Sequence, residues 1–232
     1  MTSKPVLLKI LDVVSIIVLA VSTYLALFYA PTEAVMGDVQ RVFYFHIGTA
    51  WVGMLGFIFA AGLGITYLIT KDLKWDVVEV AAVEISVVFF FITIVLGSIW
   101  ARPSWGTWWT WDPRLTTAAV TELIYVAYFM LRNGIDDPER RARFGAVYTL
   151  LGGLSVPITF MAIRWADSRT IHPVVVGAAS AAQEKLPLSP DMKVAFFFAL
   201  FAFTVIFIDL FWNRIRLGQL EAKVEQLKLK VM

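Results

Sequence analysis

Apolar residues cluster in six stretches that are separated by short polar segments. Each stretch is long enough to cross a bilayer as a helix, since about 20 residues at ~1.5 Å per residue span the hydrocarbon core. We therefore predict an all-α integral membrane protein with a single six-span membrane domain over residues 1–232. The predicted spans are residues 10–30, 45–70, 80–100, 115–131, 144–163 and 192–212.

Composition supports this class and excludes several others. Hydrophobic residues make up 59% of the chain and charged residues 16%, whereas about 25% charged is typical of soluble domains. The chain has no cysteine, which excludes disulfides, iron–sulfur clusters and thiolate zinc sites on this chain. A net charge of +2 without a basic block does not favour nucleic-acid binding.

The distribution of Lys and Arg predicts the orientation. With the N-terminus inside, the inner segments hold thirteen of these residues and the outer segments seven, so the positive-inside rule favours two cytoplasmic termini. In the cytoplasmic tail, residues 213–232, apolar residues at helical spacing predict a short amphipathic helix. These residues are Leu220, Val224, Leu227 and Val231.

The second outer segment, the tryptophan loop at residues 101–114, is the most unusual part of the sequence. It contains Trp105, Trp108, Trp109 and Trp111 within seven positions. In a helical turn the first three would share one face. Two interpretations stay open: an aromatic belt at the membrane interface, or a flat platform for a planar ligand. Asp112 followed by proline predicts the N-cap of the fourth span.

The only two histidines, His46 and His172, lie in or beside the other two outer segments. Alone, each is more typical of a packed side chain than of a ligand. Together, on one side of the membrane and flanking the tryptophan loop, they favour an iron porphyrin held from both faces over zinc or a hard cation. The proline after His172 predicts a short outer helix at about residues 173–184.

Arginines on the outer side are disfavoured by the positive-inside rule and call for an explanation. Arg41, Arg102 and Arg114 are candidates to bind the propionates of a haem, because a guanidinium pairs with a carboxylate through two hydrogen bonds. Lipid phosphates are the alternative partners. Glu122 lies within the fourth span and is either functional or protonated and bonded to a neighbouring helix.

The segment from Trp105 to Thr116 reads Trp-Gly-Thr-Trp-Trp-Thr-Trp-Asp-Pro-Arg-Leu-Thr and resembles the "WWD" signature of a family of haem-handling proteins. Length, span number and histidine placement resemble the haem exporter protein C (CcmC) branch along essentially the whole chain. The resemblance implies that haem b is bound at the outer face of the bacterial inner membrane. The implied cofactor-binding residues are His46 and His172 as axial ligands, with Trp105, Trp108, Trp109, Trp111, Asp112, Arg41 and Arg114 around them.

The same resemblance implies a role in cytochrome c biogenesis rather than an enzymatic activity. Haem would pass to a periplasmic haem chaperone (CcmE), in a complex with an ABC transporter pair (CcmA and CcmB) and a small subunit (CcmD). The alternative is a b-type cytochrome subunit that carries electrons, although such subunits usually hold haem near mid-membrane. A scaffold whose tryptophans only grip lipid is a third possibility.

Overall fold

The computed structural model describes residues 3–34, 36–166, 169–173 and 188–231. These residues form six long helices and no β-strand, and each helix is long and apolar enough to span a membrane. The predicted all-α class and the six spans are therefore confirmed. The helices are α1 (Val6–Tyr24, continued by a π-helical turn at Leu25–Tyr29), α2 (Gln40–Thr70), α3 (Leu73–Trp105), α4 (Pro113–Asn133), α5 (Pro138–Ala166) and α6 (Pro190–Val231).

The helices extend beyond the predicted apolar spans, and α3 shows how a capping side chain sets the true end. The Asp72 side chain caps α3 by accepting a hydrogen bond from the backbone N–H of Lys74 at 3.0 Å, so the helix begins seven residues before the predicted span. It ends at Trp105 because Gly106 has a φ of 74°, which favours glycine. The expected helical turn carrying Trp105, Trp108 and Trp109 on one face is therefore wrong.

The start of α4 follows the prediction. The Asp112 carboxylate accepts a hydrogen bond from the backbone N–H of Leu115 at 2.9 Å, and Pro113 occupies the first helical position. The expected amphipathic helix after span six is the end of α6, which continues to Val231 as one helix of 42 residues. The predicted outer helix at 173–184 lies outside the described residues, apart from Pro173.

Helix α2 occupies the centre of the bundle and packs against α3, α5 and α6, while α4 packs on α5 and α1 on α6. Small residues permit the close approach of α2 and α5. A Cβ atom on Gly64 would lie 2.8 Å from the Thr149 hydroxyl oxygen and 3.0 Å from the Ala146 carbonyl oxygen. The Ala60–Gly64 pair, fully buried at Ala60, is thus a packing seam within the chain.

Candidate functional site

One end of the bundle holds a pocket. It is enclosed by α2, α3, α4, α5 and the segment 169–173. Five residues predicted from sequence line it: His46, Trp105, Trp109, Arg114 and His172. The remaining walls are mostly apolar, formed by Ile47, Ala50, Met54, Phe90, Thr93, Ile94, Gly97, Ser98, Trp100, Leu115, Ala118 and Thr159.

His46 presents one ring nitrogen to the pocket in a defined protonation state. Its Nδ1 atom lies 2.9 Å from the backbone carbonyl oxygen of Thr93. Since a carbonyl oxygen only accepts, Nδ1 carries the proton and Nε2 keeps its lone pair. The Thr93 hydroxyl in turn donates to the Thr49 hydroxyl at 2.9 Å, which ties α3 to α2 at the level of His46. A carbonyl behind a histidine is the arrangement that orients imidazole ligands on metals.

Gly97 provides the space for the His46 ring. A Cβ atom at this position would lie 2.9 Å from the ring carbon Cε1 and 3.3 Å from Nδ1. The glycine thus lets α3 approach the imidazole edge.

We expect Gly97→Ala to displace the His46 ring and weaken its bond to the Thr93 carbonyl. Loss of an orienting partner behind a metal-bound histidine typically costs ~10–100-fold in metal affinity, so we expect haem affinity to fall by about tenfold. A haem titration followed by absorption checks this. Gly62→Ala is the matched control, because a Cβ there meets no atom within 4 Å. Equal affinities for both variants would contradict this role of Gly97.

His172 mirrors this arrangement from the segment between α5 and α6. Its Nδ1 atom lies 3.1 Å from the carbonyl oxygen of Pro173, so Nε2 again keeps its lone pair. The ring meets the Trp105 ring edge-on, with centroids 6.4 Å apart. Burial, followed by the nearby charge of Arg114, lowers the pKa of His172 to about 3, so the imidazole is neutral at pH 7. A neutral imidazole is the form that ligates metals.

Asp112 holds the His172 segment in place. While Oδ1 caps α4, Oδ2 accepts hydrogen bonds from the Thr170 hydroxyl at 3.0 Å and from the Ile171 backbone N–H at 3.3 Å. The Thr170 hydroxyl oxygen also accepts from the His172 backbone N–H at 3.2 Å. Asp112 does not line the pocket. Sequence placed it among the residues that bind a cofactor, whereas the structure gives it contacts that position His172.

We expect Asp112→Asn to weaken haem retention by about tenfold without preventing membrane insertion. The amide nitrogen turns a donor toward groups that themselves donate, so one of the bonds to the 169–173 segment or to Leu115 is lost. Haem occupancy of the purified variant measures the effect. Asp191→Asn, on the exposed first turn of α6, is the control and leaves occupancy unchanged.

The four clustered tryptophans divide into two pairs. Trp105 and Trp109 line the pocket, whereas Trp108 and Trp111 are 58% and 76% exposed and do not. The split arises because the helix ends at Trp105. Trp100, five residues before Trp105 on α3, also lines the pocket and meets the Trp105 ring at a centroid distance of 5.7 Å. Sequence reasoning left Trp100 out of the site.

The three arginines that are candidates to bind a propionate take different roles. Arg114 lines the pocket and donates a hydrogen bond to the carbonyl oxygen of Thr159. Arg41 instead donates to the carbonyl oxygens of Ala26 and Leu27 in the π-helical turn and of Ala30 directly after it, and pairs with Asp38. Arg102 donates to the Gly106 carbonyl oxygen in the tryptophan loop. Of these three arginines, Arg114 lines the pocket, whereas Arg41 and Arg102 do not.

The two histidines of the pocket suit a metal ion whose other ligands come from a bound cofactor. Among the described residues, no group of three or more His, Asp or Glu side chains is placed to hold a metal ion. Two neutral imidazoles in one aromatic-walled pocket leave most coordination positions of an iron unfilled, and a porphyrin supplies four nitrogens. The residues present therefore fit an iron porphyrin.

Comparison with known proteins decides the family. A family model described as "CcmC: Heme exporter protein C" matches residues 1–230. The chain belongs to this family. A "Heme exporter protein C" of Bradyrhizobium diazoefficiens is 31% identical over 217 residues, covering 93% of this chain and 80% of the relative. One from Escherichia coli K12 is 29% identical over 207 residues, covering 89% and 81%.

Membership of the haem exporter protein C family makes the chain a multi-pass membrane subunit of the haem-handling cytochrome c maturation system. The family is a haem transport and handling family associated with an ABC-type export system. The pocket at one end of the bundle is the part of the described structure that fits this role.

Proposed function

We propose that the chain binds haem b in the pocket, with His46 and His172 as axial ligands, and passes it to a haem acceptor. One observation carries the proposal. Both histidines that line the pocket have Nδ1 engaged by a backbone carbonyl, which leaves both Nε2 atoms available to a metal. Bound haem supplies an iron that accepts these nitrogens and an extended flat surface.

The aromatic residues cover that flat surface and exclude water. Trp100, Trp105 and Trp109 are the tryptophan rings on the pocket wall, and the Trp100 ring meets the Trp105 ring edge-on. Each buried aromatic side chain covers about 150–250 Å². Trp108 and Trp111 lie outside the pocket and exposed, where they are available to lipid or to a docking partner at the rim.

Arg114 is the residue that we propose binds a propionate. Its bond to the Thr159 carbonyl uses one of the five guanidinium N–H groups and fixes the side chain against α5. The remaining donors are available for a carboxylate, which arginine pairs through two hydrogen bonds. The apolar walls make such a charged contact stronger than it is in water.

We expect Arg114→Ala to weaken haem binding by about tenfold to a hundredfold, because a charge-assisted hydrogen bond contributes ~1.5–3 kcal/mol. Arg114→Lys restores only part of the affinity, since an ammonium loses the paired geometry. Haem dimethyl ester, which has no ionised propionate, separates the causes. The ester should bind wild type and Arg114→Ala equally, and an equal loss for ester and native haem would contradict the propionate contact. Arg41→Ala is the control. The ratio of its affinities for native haem and for haem dimethyl ester should equal the wild-type ratio.

The location and partners follow from the family resemblance and are part of the proposal. We place the protein in the bacterial inner membrane as one six-span domain with both termini cytoplasmic and the pocket at the periplasmic face. The acceptor is the periplasmic chaperone CcmE, and the complex includes CcmA, CcmB and CcmD. The pocket supports transfer, because it lies at one end of the bundle, where an acceptor can reach it. The chain itself binds and presents haem rather than converting it.

Transfer is tested with haem-loaded protein in detergent, mixed with an excess of purified CcmE or of apomyoglobin. We expect the Soret absorption to move to CcmE faster than haem is lost to apomyoglobin. Haem that stays bound in both mixtures would instead support the b-type cytochrome alternative.

A further inference from the structure

A polar seam runs along the contact between α4 and α5. On α4 the polar side chains repeat at intervals of three and four residues, which places them on one helix face: Thr121, Tyr125, Tyr128 and Arg132. On α5, Gly152, Ser155 and Thr159 face these residues, and Thr149 faces Glu79 of α3. Buried polar groups inside a membrane are costly and are usually functional. The seam therefore needs an explanation beyond helix packing.

One end of the seam reaches the pocket. Thr159 lines the pocket and its carbonyl oxygen accepts from Arg114. The Thr159 and Thr121 hydroxyls lie 3.0 Å apart, and the Thr121 hydroxyl also lies 3.0 Å from Ser155 Oγ. These three hydroxyls form a connected group just below the pocket.

At the opposite end of the bundle the seam contains charged residues from the start of α3. Arg132 forms two hydrogen bonds with Asp76, at 2.6 and 2.8 Å. Glu79, which is fully buried, accepts at Oε1 from the Tyr128 hydroxyl at 3.3 Å and from the Thr149 hydroxyl at 3.2 Å. The second carboxyl oxygen of Glu79 has no partner among the described residues.

Tyr125 lies between the two groups. Its ring stacks on Phe57 at a centroid distance of 3.7 Å, and its fully buried hydroxyl has no partner in the described part of the chain. That hydroxyl would lie 3.1 Å from a Cβ atom on Gly152, and the Gly152 carbonyl oxygen accepts from Ser155 at 2.6 Å. The hydroxyl therefore faces α5 one turn from Ser155 and one turn from Thr149.

Helix packing alone does not account for these two unpartnered oxygens. An unsatisfied buried polar group costs ~1–3 kcal/mol, and phenylalanine at position 125 would keep the stacking on Phe57 without that cost. A carboxyl at position 79 with one unused oxygen is likewise more costly than an amide or an apolar residue. Both groups have the chemistry to bind and release a proton.

We propose that the seam is a proton relay between the pocket and the opposite end of the bundle, with Glu79 and Tyr125 as its central groups. A proton enters beside Asp76 and binds the free oxygen of Glu79. No hydrogen bond joins the Tyr125 hydroxyl to Glu79 or to Ser155 in the described part of the chain. The proposal therefore includes one water molecule in each gap, which carries the proton from Glu79 to the Tyr125 hydroxyl and from that hydroxyl to Ser155.

The Thr121 hydroxyl donates to Ser155, and the Ser155 hydroxyl to the Gly152 carbonyl oxygen, so both must rotate to donate toward the pocket. After rotation, the hydroxyls of Ser155, Thr121 and Thr159 hand one proton on to the pocket, and no group is oxidised or consumed.

The surroundings of Glu79 favour a proton over a metal ion. The side chains that face it are Asp76, Arg132, Tyr128, Tyr125 and Thr149. The charge of Arg132 is balanced by Asp76, so a neutral Glu79 leaves the group electrically balanced. No cluster of three candidate metal ligands occurs among the described residues.

The test is proton flux through the full chain reconstituted in lipid vesicles. A potassium gradient with valinomycin drives protons inward, and an enclosed dye reports pH. We expect wild type to acidify the lumen faster than protein-free vesicles, and Tyr125→Phe and Glu79→Gln to lose all of this protein-dependent flux. A wild-type rate equal to that of protein-free vesicles overturns the proposal.

Tyr125→Phe separates a relay from a structural role. It removes only a hydroxyl that makes no hydrogen bond among the described residues, so a structural role leaves flux unchanged and thermal stability equal or higher. Unchanged flux in this variant overturns the relay. Glu122→Gln is the matched control. It neutralises a second buried carboxyl, which lies on α4 and makes no hydrogen bond to the seam. Its flux stays at the wild-type level, and a loss equal to that of Glu79→Gln overturns the assignment.

Haem binding is measured on the same preparations. The variants of the relay keep the wild-type Soret spectrum and haem affinity, because neither Glu79 nor Tyr125 lines the pocket. A failure of the relay is thus distinguishable from a failure of the haem site.

Discussion

Alanine in place of His46 or His172 is expected to shift the Soret band and to weaken haem retention by more than about a hundredfold. Each substitution removes one axial iron bond, and even the loss of a group behind a ligand costs ~10–100-fold. Because both Nε2 atoms are available in one pocket, the two variants should behave alike. Absorption spectra and haem-to-protein ratios of the purified variants measure the effect.

Added imidazole is the control for a structural effect. It fills the space left by the missing ring and should restore a low-spin spectrum in either alanine variant. Spectra and haem occupancy that match wild type in both variants would show that these histidines do not ligate haem.

The second large effect is expected from the tryptophans that line the pocket. The double variant Trp105→Ala with Trp109→Ala should lose at least about a hundredfold in haem affinity, because half of a ~150–250 Å² side chain at ~25 cal/mol per Å² already contributes ~2–3 kcal/mol. Membrane insertion should persist, since the six helices do not depend on these rings. The measurement is a haem titration in detergent.

Trp108→Ala with Trp111→Ala is the matched control, as it removes two tryptophans of the same loop that lie exposed outside the pocket. Its haem affinity should stay within a few fold of wild type. An equal loss in both double variants, or loss of the folded protein, would instead favour the interpretation of the loop as an interfacial belt.

Much of the fold follows from the sequence because membrane insertion depends on hydrophobic length. The spans were predictable for this reason, and the Asp112 cap was predictable because aspartate followed by proline is typical of a helix start. The ends of the helices were less so: Gly106 ends α3 in the middle of the tryptophan cluster, which changes which rings share a face. Whether a glycine ends a helix or continues it depends on its neighbours in three dimensions.

The contacts of individual side chains were harder to predict than the helices. Arg41 and Arg114 look equivalent in sequence, yet a long guanidinium takes whichever carbonyls are near, and the π-helical turn of α1 together with Ala30 offers three to Arg41. Gly97 could not be assigned to His46, because the contact joins α3 to α2. The spacing of Thr121, Tyr125, Tyr128 and Arg132 was visible in the sequence and is the pattern that indicates a polar helix face.

We propose that two imidazoles of this chain bind one haem in the pocket. Electron paramagnetic resonance of the purified ferric protein, loaded with one equivalent of haem, tests it most directly, because the signal depends on both axial ligands. We expect a low-spin spectrum of a bis-histidine haem in wild type and its loss in His46→Ala and in His172→Ala. A high-spin spectrum in wild type, or a low-spin spectrum that survives both substitutions, would contradict it.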